Sequence, residues 1–310
     1  MKTVVIVKDR NNFGPLFYKY SEEHGFKAKL IDIWKKDSLD YLLEEPIDAF
    51  VWWAKHNPEI KNFARRLIYL FNNEINIPTF PDWQSYWHYD DKISQSLLFR
   101  KYDIPGADTF IFFNKDEAVE FAKNTHYPII YKCAHGAGSA NVGILKNQTS
   151  ALNYIRKAFG KGLKTYFKDE IQKGYVYFQE YLEDNKGDYR LVCFGDDKIQ
   201  GVFRNNRKGS VFASGSGQFD FPDLPEDMLN LVADTNKKLG FGVMSYDILK
   251  KRDQWVITEI SVIFGEAVNT IYDRIPVYNK KNGIWYKENM YENLSQRLFN
   301  YLLKYRWKWI

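Results

Sequence analysis

Short apolar runs alternate with helix-patterned segments along the N-terminal quarter of the chain, and this alternation constrains the fold more than any other feature. Val4–Val7 is apolar and β-branched, Phe17–Glu23 is helical in composition, and Ala28–Ile33 and Ala49–Trp53 read as further strands. Asn57 is placed to cap a helix with Pro58 in its first turn. Ile60, Phe63, Ala64, Leu67, Ile68 and Phe71 then fall on one face at helical spacing. Ile77–Phe80 is a short fourth strand. Strands alternating with helices predict a parallel sheet covered by helices, an N-terminal α/β domain over 1–88.

The pattern then changes. Asp90 and Asp91 suit the positive end of a helix that runs to Tyr102 and stops before Ile104-Pro105. Thr109–Phe113 reads as a strand, Asn114–Glu117 as a capping box for a helix through Lys123, and Ile129–Lys132 as a strand. His135–Ser139 is a turn, and Val142–Leu145 returns as a strand. This predicts an α+β unit over 89–182. Tyr175–Leu182, Tyr189–Phe194 and Lys198–Arg204 are strand-like. A helix over Glu226–Leu239 precedes a hairpin of Val243–Leu249 and Trp255–Ser261, and a closing helix is expected near Asn289–Leu303. The third unit, 183–310, should be mainly antiparallel.

Composition excludes several classes. With 45% hydrophobic and 27% charged residues, a packed core is expected and disorder is not. Cys133 and Cys193 cannot make a disulfide scaffold, so a reducing cytoplasm is the simpler location. No run approaches the ~20 apolar residues that span a bilayer. The N-terminal apolar run is shorter than the roughly 7–15 residues of a signal peptide and reads as a buried strand. The net charge of +5 is spread out, so nucleic acid is not an expected partner. Oligomeric state has no signal. The tail Lys304–Ile310 has three cations, three aromatics and no acid. It reads either as a helix end packing Trp307 or Trp309, or as a weak contact with an anionic membrane surface.

Four groups of residues carry candidate chemistry. Lys92 opens a helix where its charge opposes the dipole, which suits either a bound anion or a solvated surface. Lys132 ends an apolar strand four residues before Gly136-Ala137-Gly138-Ser139. Glycines let backbone N–H groups approach an anion, and a buried, unpaired lysine costs several kcal/mol, which favours a phosphate over a plain hairpin. Neither a Walker A loop nor a Rossmann fingerprint is present. Gln179-Glu180-Tyr181-Leu182, Asp188-Tyr189-Arg190 and Arg204 precede the loop Ser214-Gly215-Ser216-Gly217. The arginines could grip carboxylate or phosphate in bidentate fashion. Finally, if Lys250–Gln254 connects the last hairpin with 249 opposite 255, Asp247 and Glu259 share one face, diagonal to each other. Two such carboxylates repel unless a cation such as Mg²⁺ lies between them.

In this order the pieces resemble the ATP-grasp superfamily, whose members include glutathione synthetase, D-alanine–D-alanine ligase and the ribosomal-protein glutamate ligase. The resemblance runs from about Pro81 to Gly265 and rests on Asp91-Lys92, Tyr102–Pro105, Pro128–Lys132, the Gly136–Asn141 loop, Gln179–Leu182, Asp188–Arg190, Ser214–Gly217, Asp247 and Glu259. It implies an ATP-grasp fold: an N-terminal parallel α/β domain, a central lid and a C-terminal, mainly antiparallel sheet. It implies that Lys92 and Lys132 hold ATP phosphates beneath a lid of Gly136, Gly138 and Ser139. Gln179, Glu180, Tyr181 and Leu182 would line the adenine, with Glu180 or Asp188 toward the ribose. Arg204 would sit by the transferred phosphate and the acyl oxygens, with Lys132 and Arg190 as further catalytic residues, and Ser214, Gly215, Ser216 and Gly217 would join Arg204 in binding the substrate. Asp247 and Glu259 would hold two Mg²⁺ ions, with Ser261 standing where the family usually has Asn, implying a weaker second site. The implied reaction is ADP-forming ligation of a carboxylate to an amine through an acyl phosphate. Trp83–Lys92 and Phe212–Gly217 are most similar to members associated with surface polysaccharides, so a sugar uronate is the expected acid. A kinase on the same fold and a non-catalytic, peripheral binding protein are the alternative readings.

Overall fold

The computed structural model of the protein describes residues 1–8, 13–136, 138–264, 275–288 and 294–309. Four parallel strands, β1 (Thr3–Val7), β2 (Lys27–Ile31), β3 (Ala49–Val51) and β4 (Thr79–Phe80), lie in the order β2-β1-β3-β4. Every residue of β1 is buried, which explains its unbroken apolar run. Helices α1 (Phe13–Glu23), α2 (Lys36–Glu44) and α3 (Pro58–Tyr69) connect these strands. Pro58 opens α3 as expected, but the Asn57 side chain makes no capping bond. The short α4 (Trp83–Tyr86) and then α5 (Lys92–Lys101) lead away from this sheet. Asp91 caps α5, accepting from the N–H groups of Ile93 and Ser94.

The central unit contains β5 (Thr109–Phe112), α6 (Lys115–Asn124), β6 (Ile129–Lys132), β7 (Val142–Leu145), α7 (Gln148–Phe159), the ribbon β8 (Leu163–Lys164) and β9 (Ile171–Gln172), and β10 (Val176–Glu180). Its antiparallel sheet has the order β5-β10-β6-β7. Asn114 caps α6 through its own side chain, by bonds to the N–H groups of Asp116 and Glu117. Strand alternation then sets the site. Ile129, Val176 and Phe178 pack with Ala118, Ala122, Ala151 and Ile155 of the two helices. Ile130, Lys132 and Gln179 consequently face the opposite way.

The C-terminal sheet is built from β11 (Gly187–Phe194), β12 (Lys198–Asn205), β13 (Phe219–Asp220), β14 (Val243–Lys251), β15 (Gln254–Ser261), β16 (Val277–Lys281) and β17 (Ile284–Glu288). The order is β15-β14-β11-β12-β16-β17, with β13 added beside β12. Helix α8 (Glu226–Leu239) covers one face, and the Tyr246 hydroxyl donates to Asn236 Oδ1 at 2.7 Å. Helix α9 (Leu294–Tyr301) returns to the N-terminal unit, where Phe299 meets Phe17 edge-on with 5.3 Å between ring centres. The first part of the expected closing helix, 289–293, lies outside the described residues. One hydrophobic core thus joins the N- and C-terminal sheets, while the central unit has a smaller core of its own.

The tail departs from the membrane reading. After α9 the chain continues in a wider π-helical turn, Leu302–Trp307, which buries Trp307 beside Phe299. Trp309 folds back so that its ring lies 5.1 Å from Phe26 and 4.9 Å from Trp307. Two of the three aromatics therefore pack on the protein, because together they cover the open end of the α1–α9 contact, and only Tyr305 is left half exposed. No helix among the described residues is long and apolar enough to cross a membrane. Trp307→Ala should lower the unfolding free energy by about 3 kcal/mol in denaturant titration, whereas Tyr305→Ala should change it by less than about 1 kcal/mol.

Candidate functional site

A cleft of about 890 Å³ lies between the inner face of the central sheet and the open face of the C-terminal sheet. One part of its lining is apolar: Ile130, Val142, Leu182, Val211, Phe212 and Leu249. Another part is ionic: Lys92, Lys132, Asp188, Asp247 and Glu259. A ligand with a flat apolar part and an anionic tail matches this division.

Cross-strand register creates the ionic part. Glu259 on β15, Asp247 on β14 and Arg190 on β11 stand directly opposite one another, and Asp188 on β11 stands opposite Arg204 on β12. Arg190 grips Asp247 with two bonds of 2.7 Å. Arg204 grips Asp188 at 2.6 and 2.7 Å and reaches Asp247 at 2.8 Å. Burial opposes ionisation of Asp247, but the Arg190 and Arg204 guanidiniums outweigh it and hold the carboxyl well below the usual carboxylate range.

The expected hairpin register is corrected. Leu249 pairs with Val256 and not with Trp255, and the register slips between Asp247 and Ile248 so that Thr258 is bulged. Side chains directly opposite across a ladder share a face. Without the bulge, Thr258 would share Asp247's face and Glu259 would point away. The extra residue brings Glu259 opposite Asp247, directly and not diagonally.

The two lysines differ. Lys92, expected either at a solvated surface or beside an anion, is 4% exposed. Its Nζ donates to Gly136 O at 2.9 Å and lies 3.5 Å from Glu259. Burial works against its charge, but Glu259 and Asp90 outweigh burial and raise its pKa. Lys132 is 8% exposed and makes no hydrogen bond or ion pair among the described residues. Burial, reinforced by the charge of Lys92, pulls its pKa down to about 8 against the attraction of Glu259 and Asp247. A buried ammonium without a partner, facing a cleft, is the feature that most invites an anion.

Other expected residues are placed differently. Gly136, Ser139, Gln179, Tyr181, Leu182 and Ser214 line the cleft. Gly138, Gly215, Ser216 and Gly217 do not, and Ala137 lies outside the described residues. Glu180 lines it, but its N–H donates to Asp108 O, and its carboxylate accepts from the Asp108 N–H and from Lys251 at 2.6 Å. Arg204 and Arg190 are not among the lining residues, since both guanidiniums are turned into the carboxylates beside them. Ser261 is likewise absent from the lining, and its hydroxyl donates to Ile263 O. Asn185, Asn206, Val211 and Phe212 were not expected. Arg204-Asn205-Asn206-Arg207 at a strand end, just ahead of a Gly-rich loop, was the available signal.

Gly136 is held on all sides. Its φ is +120°, and a Cβ there would stand 2.5 Å from Asn141 Nδ2, so neither the backbone nor the space admits a side chain.

Comparison with known proteins places this architecture. Residues 91–198 match the family model described as the carbamoyl-phosphate synthase L chain ATP-binding domain. A protein of Saccharolobus solfataricus named α-aminoadipate–LysW ligase LysX is 24% identical over 259 residues, 80% of this chain and 89% of the relative. The fold is that of ATP-grasp ligases. The structure of D-cycloserine synthetase DcsG matches it with a TM-score of 0.65 at 15% identity, over 97% of this chain and 99% of that one. The ATP-grasp ligase PsnB, solved with a minimal precursor, Mg and ADP, matches with a TM-score of 0.60 at 12% identity, over 97% of each chain.

The donor set can be tested against magnesium. Among the described residues no group of three or more His, Cys, Asp or Glu side chains could enclose a metal ion. Mg²⁺ is usually held by one or two carboxylates with substrate phosphates and waters completing the octahedron. Glu259, one-third exposed, and Asp247 opposite it fit that arrangement. Asp247 already accepts three bonds from arginines, so Glu259 is the more available of the two.

The charge of Lys132 has a measurable consequence for stability. Its pKa is about 8 in the folded protein against 10.5 when exposed. Below pH 8 both states hold the proton and the folded state bears the full burial penalty. Between pH 8 and 10.5 the unfolded state binds more protons, so stability rises with pH. Lys132→Met should therefore stabilise the ligand-free protein at pH 7, by on the order of 3 kcal/mol. The gap from wild type should close as the pH approaches 10, followed by thermal unfolding across that range.

Proposed function

We propose that this protein is an ADP-forming ligase that joins a carboxylate to an amine, with ATP held in the cleft between the central and C-terminal sheets. The observation that carries this reading is Lys132, a buried ammonium with no partner among the described residues, attracted by Glu259 and Asp247. The names of its relatives support it, since the proteins with which it shares the fold are ligases and synthetases.

In this reading the apolar part of the cleft takes the adenine. Glu180 is already engaged at both its N–H and its carboxylate, so Leu182 is the backbone that meets the base. Lys132 and Lys92 take the phosphates. Glu259, with Asp247, would hold magnesium, which would supply charge neutralisation for phosphoryl transfer. Ser261 is directed elsewhere, so it offers no oxygen to a second ion. Arg190 and Arg204 act through Asp247, holding it ionised and in place.

The chemistry balances simply. A carboxylate oxygen attacks the γ-phosphorus, the bond to the β–γ bridging oxygen breaks, and ADP leaves. The amine nitrogen attacks the acyl carbon, inorganic phosphate leaves, and the nitrogen loses a proton. The protein contributes position, charge and exclusion of water. The acids and partners named for its relatives are amino acids or peptides, α-aminoadipate and a precursor peptide among them. The substrate is therefore proposed to be an amino-acid or peptide carboxylate, and the uronate of a surface polysaccharide is not retained.

Hydroxylamine provides the test, because it traps an activated acyl group. With ATP, Mg²⁺ and a panel of amino-acid and peptide carboxylates, a hydroxamate should form in step with ADP. Glu259→Gln should lower kcat by about 10²–10³-fold, while Ser261→Ala should stay within about threefold of wild type. A phosphorylated product without hydroxamate would assign a kinase instead.

A further inference from the structure

A second buried ionic group lies behind the cleft, on the side of the N-terminal domain. Lys61 of α3 and Asp90, just before α5, form an ion pair of 2.9 Å with side-chain exposures of 2% and 4%. Lys61 Nζ also donates to the Asp90 backbone carbonyl at 3.2 Å. Asp90 has a left-handed backbone, φ 49°, a conformation that Asn, Asp and Gly tolerate. Its other oxygen, Oδ1, accepts from the Gly136 N–H at 2.8 Å.

Gly136 is therefore gripped at both ends of its backbone: Asp90 holds the N–H, and Lys92 holds the carbonyl at 2.9 Å. The Lys92 N–H, in turn, donates to Ala134 O at 3.0 Å. The stretch 134–136 is stitched to 90–92 by three bonds, and the carboxylate among them is anchored by a lysine from a different domain. A buried ion pair is weak evidence for stability, since burial offsets most of its attraction. A pair that orients a third group has a reason to be kept.

Resting on the nucleotide reading above, we propose that Asp90 is a positioning residue whose buried charge Lys61 balances. Asp90 sets the Gly136 peptide and the Lys92 ammonium in the geometry that receives the ATP phosphates. Asp90 touches no cleft ligand itself. It acts through the Gly136 N–H and through the Lys92 ammonium 4.0 Å away, while Lys61 balances its buried charge.

Removing one member alone would leave a buried, unpaired charge and confuse folding with positioning. Two double variants avoid this. Both Lys61→Met/Asp90→Asn and Lys61→Met/Asp90→Gly lack the buried charges and tolerate a left-handed backbone, but only Asn can still accept from Gly136. The full-length proteins would be titrated with ATP·Mg²⁺ by calorimetry, with thermal unfolding measured without nucleotide. The Asn variant should bind within about threefold of wild type and the Gly variant about tenfold more weakly, the size of one lost hydrogen bond. KM for ATP should follow the same order, with a smaller change in kcat. Equal affinities for the two double variants, with wild type binding normally, would overturn the positioning role alone. Wild-type protein that binds no ATP would overturn the nucleotide reading and this inference with it.

Discussion

Burying the ammonium of Lys132 costs several kcal/mol, and the protein offsets this only in part. Glu259 and Asp247 attract it across the cleft, yet neither comes within bonding distance, and Lys92 repels it. Around that uncompensated charge the neighbouring groups are all satisfied. Arg190 and Arg204 are held by Asp247 and Asp188, Lys92 by Gly136 and Glu259, and Lys61 by Asp90. The result is a cleft whose walls are pre-set and whose one free cation, among the described residues, points at the space between the two sheets. Fixed charges of this kind favour an anionic ligand because no side chain must reorganise to meet it.

The fold makes that arrangement possible through two cores. The N- and C-terminal sheets share a continuous apolar core, so the carboxylates and arginines sit on a rigid base. The central unit has its own core and contributes Lys132 and Gln179 from the opposite wall. Three local ties join the parts: Gln95 to both backbone groups of Ile260, the Pro105 carbonyl to Ile257, and the Lys61–Asp90–Gly136 chain.

Much of this was legible in the sequence because it rests on short-range periodicity. The buried strand β1, the amphipathic face of α3 and the alternation that turns Ile130 and Lys132 toward the cleft all follow from side-chain spacing. Helix α7 escaped notice because its buried stripe, Ala151, Tyr154, Ile155 and Ala158, is half alanine, although Asn147 and Ser150 form a reciprocal capping box ahead of it. The β16–β17 hairpin also escaped, although Asn282-Gly283 is a strong turn signal and both residues have positive φ. The bulge at Thr258 could not be read from spacing, because it depends on how two strands twist against their neighbours. Nor could the burial of Lys92 and Asp90, which follows from α5 docking on β15. The arginines were recognised as anion-gripping groups, but their anions are the protein's own carboxylates.

The central claim is that Lys132 carries a charge without a protein partner at neutral pH, loses it near pH 8 in the free protein, and keeps it when phosphate is bound. Calorimetric titration with ATP·Mg²⁺ at pH 8.5, repeated in buffers of different ionisation enthalpy, measures the protons exchanged on binding. A free-state pKa of about 8, raised by the bound phosphates, gives net proton uptake of roughly half a proton or more per nucleotide. Binding of ATP with no proton uptake at that pH would contradict the account.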